Sequence, residues 1–398
     1  MLDVSLIETS GLGDRSYLVS DGEVAVAIDP QRDIDRVLEL AGNLRITHVL
    51  ETHIHNDYVT GGLALADATG ALYVIPAGED VEFSCRAVNE GDRIDTGAIH
   101  PEALLTPGHT HHHVSYVLRD DSGQTVGVFT GGSMLFGSTG RTDLFGAENT
   151  VELSRRQYHS VRRLADELPS ETPVYPTHGF GSFCSAAPAD GDNASTIGEQ
   201  RAANPALTQD EQAYIDQLLA ELAEFPAYYA HMGVINRAGP AAADLSPPGP
   251  VDPGELRRRI VAGEWVVDLR NRSAFAAGHL ADGAELRSYR VADFEDLAGV
   301  LDDRGVVVLD VRQAYEFDGG HIRGAVSIAL HELPERLTDI PADRELWIHC
   351  ASGYRASVAA ALLDRQARHV VLIDDDYDNA EKLGLTSSPT DTEHRGKQ

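Results

Sequence analysis

Lysine is nearly missing from this chain. Of 32 basic residues only Lys382 and Lys397 are lysines, against 63 acidic ones, and the formal charge at neutral pH is -31. A surface this acidic repels nucleic acid and anionic lipid, so neither is expected as a partner. Cysteine is equally scarce: Cys85, Cys184 and Cys350 form no close pair in sequence, which argues against a disulfide framework. No run of about 18 apolar residues offers a bilayer span. The first residues, "MLDVSLIETSGLGDRSYLV", lack a basic leader followed by an apolar stretch, so no secretory signal is read there. Together these absences lead to the expectation of a soluble, cytoplasmic protein in which an anionic substrate would need a locally positive pocket.

At 398 residues the chain is long enough for two or three domains. The prolines and small residues of "GPAAADLSPPGPVDPGE" (239–255) fit neither helix nor sheet and mark the junction. Before it, short β-branched runs such as "EVAVAIDP", "THVLETH", "ALYVIP", "VSYVLRD" and "TVGVFTGG" alternate with amphipathic stretches such as "VELSRRQYHSVRRLADEL". That mixture predicts an α/β fold with sheets covered by helices. Thr208, with Glu211 three residues on, reads as the capping box of a helix over 209–224. After the junction, "VDLRNRSAFAAGHLADGA" and "LDVRQAYEFDGGHIRGA" repeat the order Asp-x-Arg, Gly-His, Gly-Ala, with Asp268 and His279 answering to Asp310 and His321. The copies begin about 40 residues apart, too close for two full α/β domains. The expected organisation is therefore 1–237, a linker at 238–254, a shortened repeat at 255–286 without a cysteine loop and expected to be inert, and a full domain at 287–398.

"RELWIHCASGYRASVAAALLDRQARHVVLID" reads as buried strand, tight loop, helix and second buried strand. The loop places Cys350 at the strand's carboxyl end and Arg355 at the helix entry, with Ala351, Ser352, Gly353 and Tyr354 between. Successive backbone N–H groups and the helix N-terminus there would stabilise a bound anion. The segment resembles the rhodanese family of sulfurtransferases, whose loop reads C-x-x-G-x-R. The resemblance covers about 290–380. It implies that Cys350 carries sulfur as a persulfide between thiosulfate or a low-molecular-weight persulfide and a thiol or sulfite, with Arg355 and the loop amides as the anion cradle. Asp310, Arg312 and His321 are read as scaffold.

The opening half carries histidines at strand exits. "ETHIHNDYVTGG" supplies His53, His55 and Asp57, "TPGHTHHH" supplies His109, and "YPTHGFGS" supplies His178. Separated imidazoles at such positions are how metal sites of α/β folds are assembled. Their order resembles the metallo-β-lactamase superfamily over nearly all of 1–237, which implies an αββα sandwich followed by the rhodanese-like parallel α/β domain. With "FTGGSMLFGSTGRTDL" the combination looks most like persulfide dioxygenase and rhodanese fusions. Carried over, His53, His55 and His109 match first-metal ligands, and Asp57 and His178 match second-metal ligands.

Two positions depart from the pattern. Tyr58 stands where the superfamily has a second-metal histidine, and Gly132 stands where persulfide dioxygenases have the aspartate that joins two histidines around Fe(II). Both departures disfavour a dinuclear site and leave three readings open. In the first, one divalent metal, Fe(II) before Zn(II), sits on three histidines and serves a dioxygenase that turns glutathione persulfide and O₂ into sulfite. In the second, zinc serves a thioester hydrolase of glyoxalase II type. In the third, a metal-free scaffold leaves Cys350 as a sulfur carrier. Tyr58 and Arg141 are assigned to the substrate pocket, although Arg141 is equally read as a structural partner of Asp143. His111, His112 and His113 are read as solvated loop, and Cys184 as packing. Expected partners are a persulfide or thiosulfate and a small thiol; pairing into a homodimer stays open.

Overall fold

The computed structural model describes every residue except 1, 10, 11, 180, 181, 186–193, 223, 224, 245, 247, 248, 281–284 and 388–398. The chain divides into two compact units, Met1–Pro247 and Pro248–Gln398. No described helix is long and apolar enough to cross a membrane.

In the first unit, β1 (Asp3–Thr9), β2 (Asp14–Ser20), β3 (Val24–Ile28), β4 (Arg45–Leu50), β5 (Leu72–Pro76) and β6 (Arg86–Val88) form one sheet in sequence order. It begins antiparallel and turns parallel from β3 onward. A second sheet orders β7 (His100–Leu105), β8 (Val114–Arg119), β9 (Thr125–Gly131), β10 (Pro173–Pro176) and β11 (Ser195–Thr196) as β11-β10-β9-β8-β7. The alternation of side chains along each strand builds the layers. Tyr17, Val19, Val26 and Ile28 pack inward with Tyr116, Leu118 and Phe129 of the other sheet. Leu18, Ala25 and Ala27 point outward, under the helices Ile34–Ala41 and Gly62–Thr69. Val117 and Val128 point to the opposite side, against the helix Ala147–Glu167. This is an αββα sandwich.

The capping box expected at Thr208 lies elsewhere. Thr208 ends a short helix, Pro205–Thr208, and Asp210 caps the helix Glu211–Glu221 by accepting from the Ala213 N–H. Thr196 and Glu199 form the reciprocal pair instead. The acidic Asp210 is as good a cap as threonine and sits two positions further along, directly before the helix.

In the second unit, β12 (His279–Leu280) pairs with β13 (Leu286–Arg287). The strands β14 (Arg290–Ala292), β15 (Val306–Asp310), β17 (Val326–Ser327), β18 (Glu345–His349) and β19 (Val370–Ile373) form a parallel sheet ordered β14-β19-β18-β15-β17. Between β15 and β17, β16 (His321–Ile322) pairs with β20 (Thr386–Ser387). Apolar residues cover both faces of the parallel sheet, as the near-continuous hydrophobic runs of its strands require.

The shortened repeat keeps the local scaffold of the full one. Arg270 donates to Asp268 and to the Gly278 carbonyl, as Arg312 does to Asp310 and Gly320. His279 stacks on Phe275 at 3.9 Å and His321 on Phe317 at 4.0 Å. Its closing Gly283-Ala284 lies outside the described residues.

Candidate metal centre and cysteine loop

The loops that leave the carboxyl ends of β4, β7 and β10 carry the histidines, and those leaving β3 and β9 carry Asp29 and Gly132. His53, His55, Asp57, His109 and His178 are all buried. Donor atoms of His53, His109 and His178 lie within 4.8 Å of one another, as do those of His55, Asp57 and His178. His178 thus joins both sets, and His55 falls with Asp57 rather than in the His53–His109 group.

Each ring is held by a neighbour that fixes its tautomer. His109 donates from Nδ1 to the Arg141 carbonyl (2.7 Å), which leaves Nε2 as a bare acceptor without a hydrogen-bond partner. Its backbone N–H donates to Gln157 (2.8 Å). His55 turns Nε2 toward Glu51 (3.1 Å), Asp29 (3.4 Å) and the Tyr58 hydroxyl (3.0 Å), and its Nδ1, without a hydrogen-bond partner, faces Asp57 Oδ1 at 3.9 Å. His53 Nδ1 meets Thr52, whose hydroxyl donates to Asp29 (2.8 Å). Asp29 itself adopts positive φ (48°) at the end of β3, a conformation short polar residues tolerate, and binds Thr52 and Thr177 from the flanking loops.

Charge is distributed unevenly over these groups. Burial pushes His109 down to about 3 and, with the neighbouring histidines, His53 well below the usual imidazole range, so both rings are neutral donors. Burial opposes charge on His178 as well, but Asp57 (3.1 Å) and Asp14 (3.0 Å) outweigh it and hold the ring up at about 9. Burial, with Asp57 beside it, raises Asp14 to about 7. His178 Nε2 stands 3.2 Å from His53 Nε2, sharing one proton with it.

A divalent metal fits this donor set. His109 Nε2 is a buried lone pair without a hydrogen-bond partner, costly unless a cation takes it, and the Asp57 carboxylate, paired with His178 at 3.1 Å, stands in the same buried cluster. Gly132 lies against the His109 ring: a Cβ built there would sit 2.2 Å from Cδ2 and 2.6 Å from Cγ.

Several expectations change here. His113 is fully buried, not solvated: Nε2 accepts from the Gly132 N–H (3.1 Å) and Nδ1 meets Thr106 (2.9 Å). It immediately precedes β8, while His112 is exposed. Arg141 donates to both Asp143 oxygens and the Phe183 carbonyl and lies over Phe225, the structural pairing of the two offered. Tyr58 stacks on His55 at 4.3 Å and reaches the Asp29 carbonyl (3.2 Å). Asp14, Asp29, Glu51 and Gln157, which orient the rings, were not anticipated; Glu51, two residues before His53 and so on its side of an extended chain, carried the only local signal.

In the second unit Cys350 follows β18 and is buried, and Gly353 takes φ +83° at the cap of the helix Tyr354–Arg365. A side chain at 353 would also meet Asp374 at 2.3 Å. Tyr377 N–H donates to the Ala351 carbonyl (2.9 Å), and Tyr354 is exposed. Arg355 makes a two-pronged ion pair with Glu316 (2.5 and 2.8 Å), so its charge is matched before any anion enters.

A sandwich with histidines on its rim, followed in the chain by a parallel sheet with a cysteine loop at a strand end, defines a metallo-β-lactamase domain followed by a rhodanese domain. Residues 12–178 match the metallo-beta-lactamase superfamily and 293–382 the rhodanese-like domain. The mitochondrial persulfide dioxygenase ETHE1 of Bos taurus is 34% identical over 50% of this chain and 74% of its own length. The hydroxyacylglutathione hydrolase-like protein of Mus musculus is 36% identical over 39% of this chain and 53% of its own. A metallo-beta-lactamase from Staphylococcus aureus subsp. aureus COL shares the fold across 94% of this chain and 98% of its own, with a TM-score of 0.57 at 22% identity. The chain belongs to the ETHE1 family of the metallo-β-lactamase superfamily and carries a C-terminal rhodanese domain.

Proposed function

We propose that the first unit is a persulfide dioxygenase with one Fe(II), and that the second unit moves sulfane sulfur through Cys350. The observation that carries the first half is the pair of neutral, buried imidazoles, His53 and His109, whose donor atoms lie within 4.8 Å of each other, with His109 Nε2 left without a hydrogen-bond partner. Similarity to ETHE1 supports iron and a persulfide substrate.

His53 and His109 would hold the metal, with His55 Nδ1 or Asp57 as the further donor. When bound, the iron would supply the redox-active centre for oxidation of the persulfide sulfur by O₂. The overall reaction is RSSH + O₂ + H₂O giving RSH + SO₃²⁻ + 2H⁺. The chain's own residues set the geometry and hold protons. Gln157 and the Arg141 carbonyl fix the His109 ring, and Glu51 and Asp29 fix His55, as outer partners of metal ligands do. His178, charged between Asp14 and Asp57, already supplies the positive charge that a second cation would bring, which supports a single metal. In the second unit the Cys350 thiolate attacks the outer sulfur of thiosulfate, the S–S bond breaks, sulfite leaves, and the Cys350 persulfide passes its outer sulfur to a thiol.

Oxygen uptake with glutathione persulfide tests the first half: uptake matched by sulfite release is expected. Similarity to a hydroxyacylglutathione hydrolase-like protein favours a second reading, zinc-dependent thioester hydrolysis. Zinc in the purified protein, thioester cleavage and no oxygen uptake would establish it. If His53→Ala left every activity unchanged while Cys350→Ser removed all, only a sulfur carrier would remain.

A further inference from the structure

The shortened repeat reaches the cysteine loop. Its helix Arg272–Ala277 begins beside that loop, where Arg272 Nε donates to Asp374 Oδ1 (2.6 Å) and Nη2 to the Ser352 carbonyl (3.3 Å). Asp374 in turn fills the space beside Gly353 and opens an acidic run, Asp374, Asp375, Asp376 and Asp378, that Tyr377 straps to Ala351. The repeat is anchored to the helix that follows Cys350: His279 meets Asp364 at 3.2 Å and Arg287 donates to the Asp364 carbonyl (2.7 Å). The equivalent of Arg272 in the full repeat is Ala314, so this guanidinium is no relic of the repeated scaffold.

An anionic sulfur donor approaching Cys350 meets this acidic run. Arg355 is matched by Glu316, which leaves Arg272 as the cation that offsets Asp374, and its side chain is 40% exposed.

We propose that Arg272 is a positioning residue of the sulfur-transfer site, holding the Ser352 carbonyl and cancelling Asp374 so that the Cys350 loop accepts an anionic sulfane-sulfur donor. The shortened repeat is thereby a working part of the site and not an inert remnant. The proposal rests on the reading of Cys350 as the sulfur-carrying nucleophile.

The test compares alkylation of Cys350 in the full chain by anionic iodoacetate and neutral iodoacetamide, followed on the Cys350 peptide by mass. Arg272→Gln should lower the iodoacetate to iodoacetamide rate ratio about three- to tenfold, the effect of one uncompensated charge a few ångströms away near a surface. Arg272→Gln/Asp374→Asn should restore the ratio, and Arg272→Lys should largely keep it. For thiosulfate, Arg272→Gln should raise KM more than it lowers kcat. A ratio that does not move in Arg272→Gln, or no alkylation of Cys350 in the unaltered chain, overturns the proposal. Ratios that move as stated in a protein without thiosulfate turnover support the role of Arg272 and sink the sulfur-transfer reading alone.

Discussion

Replacing Gly132 tests how tightly the metal centre is built. A Cβ at this position would stand 2.2 Å from His109 Cδ2, where carbon atoms ordinarily approach to about 3.5 Å, so the ring must retreat by more than about 1 Å. That movement breaks the 2.7 Å hydrogen bond from Nδ1 to the Arg141 carbonyl. Overpacking costs about 1–3 kcal/mol and the stranded buried carbonyl about 1 more. Gly132→Ala should therefore lower the stability of the first unit by about 2–4 kcal/mol, a fall of roughly 5–15 °C in its melting temperature for a unit of this size. Because the retreating ring carries the bare Nε2, metal affinity should fall by about 10–100-fold. Gly132→Asp should destabilise equally but return a carboxylate to the site and recover affinity. Calorimetry of metal-free protein, with competition between protein and a chelator for iron, reads both numbers. Unchanged melting and affinity in Gly132→Ala would refute the reasoning.

His113→Ala should cost about 2–4 kcal/mol, because it strands the buried Gly132 N–H, removes one of the two partners of the Thr106 hydroxyl and leaves a cavity where the ring was, and urea denaturation measures it. The metal-free protein should lose stability between pH 7 and 10. His178 is held at about 9 against an ordinary 6.5, so its contribution is complete below pH 6.5 and disappears as pH rises through 9, an effect of order 3 kcal/mol. Asp57→Asn, which removes the charge that raises His178 most, should flatten that slope in urea midpoints. Metal uptake at pH 7 should release protons, since a cation at His53 Nε2 displaces the one shared with His178, and a weakly buffered indicator reports it. Glu316→Gln should leave the Arg355 charge unmatched and lower KM for thiosulfate several-fold in steady-state assays.

The parts legible in the sequence were those written locally. Alternation in "EVAVAIDP" and "VSYVLRD" marks strands with one face toward the facing sheet, and the histidines stand out because they follow such runs. The Asp-x-Arg and Gly-His repeat was legible for the same reason: each contact closes within about ten residues, as Arg312 to Gly320 shows. By contrast β7, "HPEALL", has the Glu, Ala and Leu of a helix former and is a strand because β8 pairs with it over its whole length. His113 could not be told from His111 and His112 until β8 fixed which way it turns. Groups that act across the fold, such as Asp14 on His178 or Asp374 on Arg272, leave no pattern in a single chain, because nothing but tertiary structure brings them within 3 Å.

The central claim is that buried imidazoles from separate loops hold one cation. X-ray absorption and metal analysis on freshly purified full chain, beside His109→Ala, test it most directly. The account predicts a single iron with nitrogen donors at about 2.0–2.2 Å, lost in the variant. Protein free of metal, or metal retained at full occupancy in His109→Ala, would contradict it.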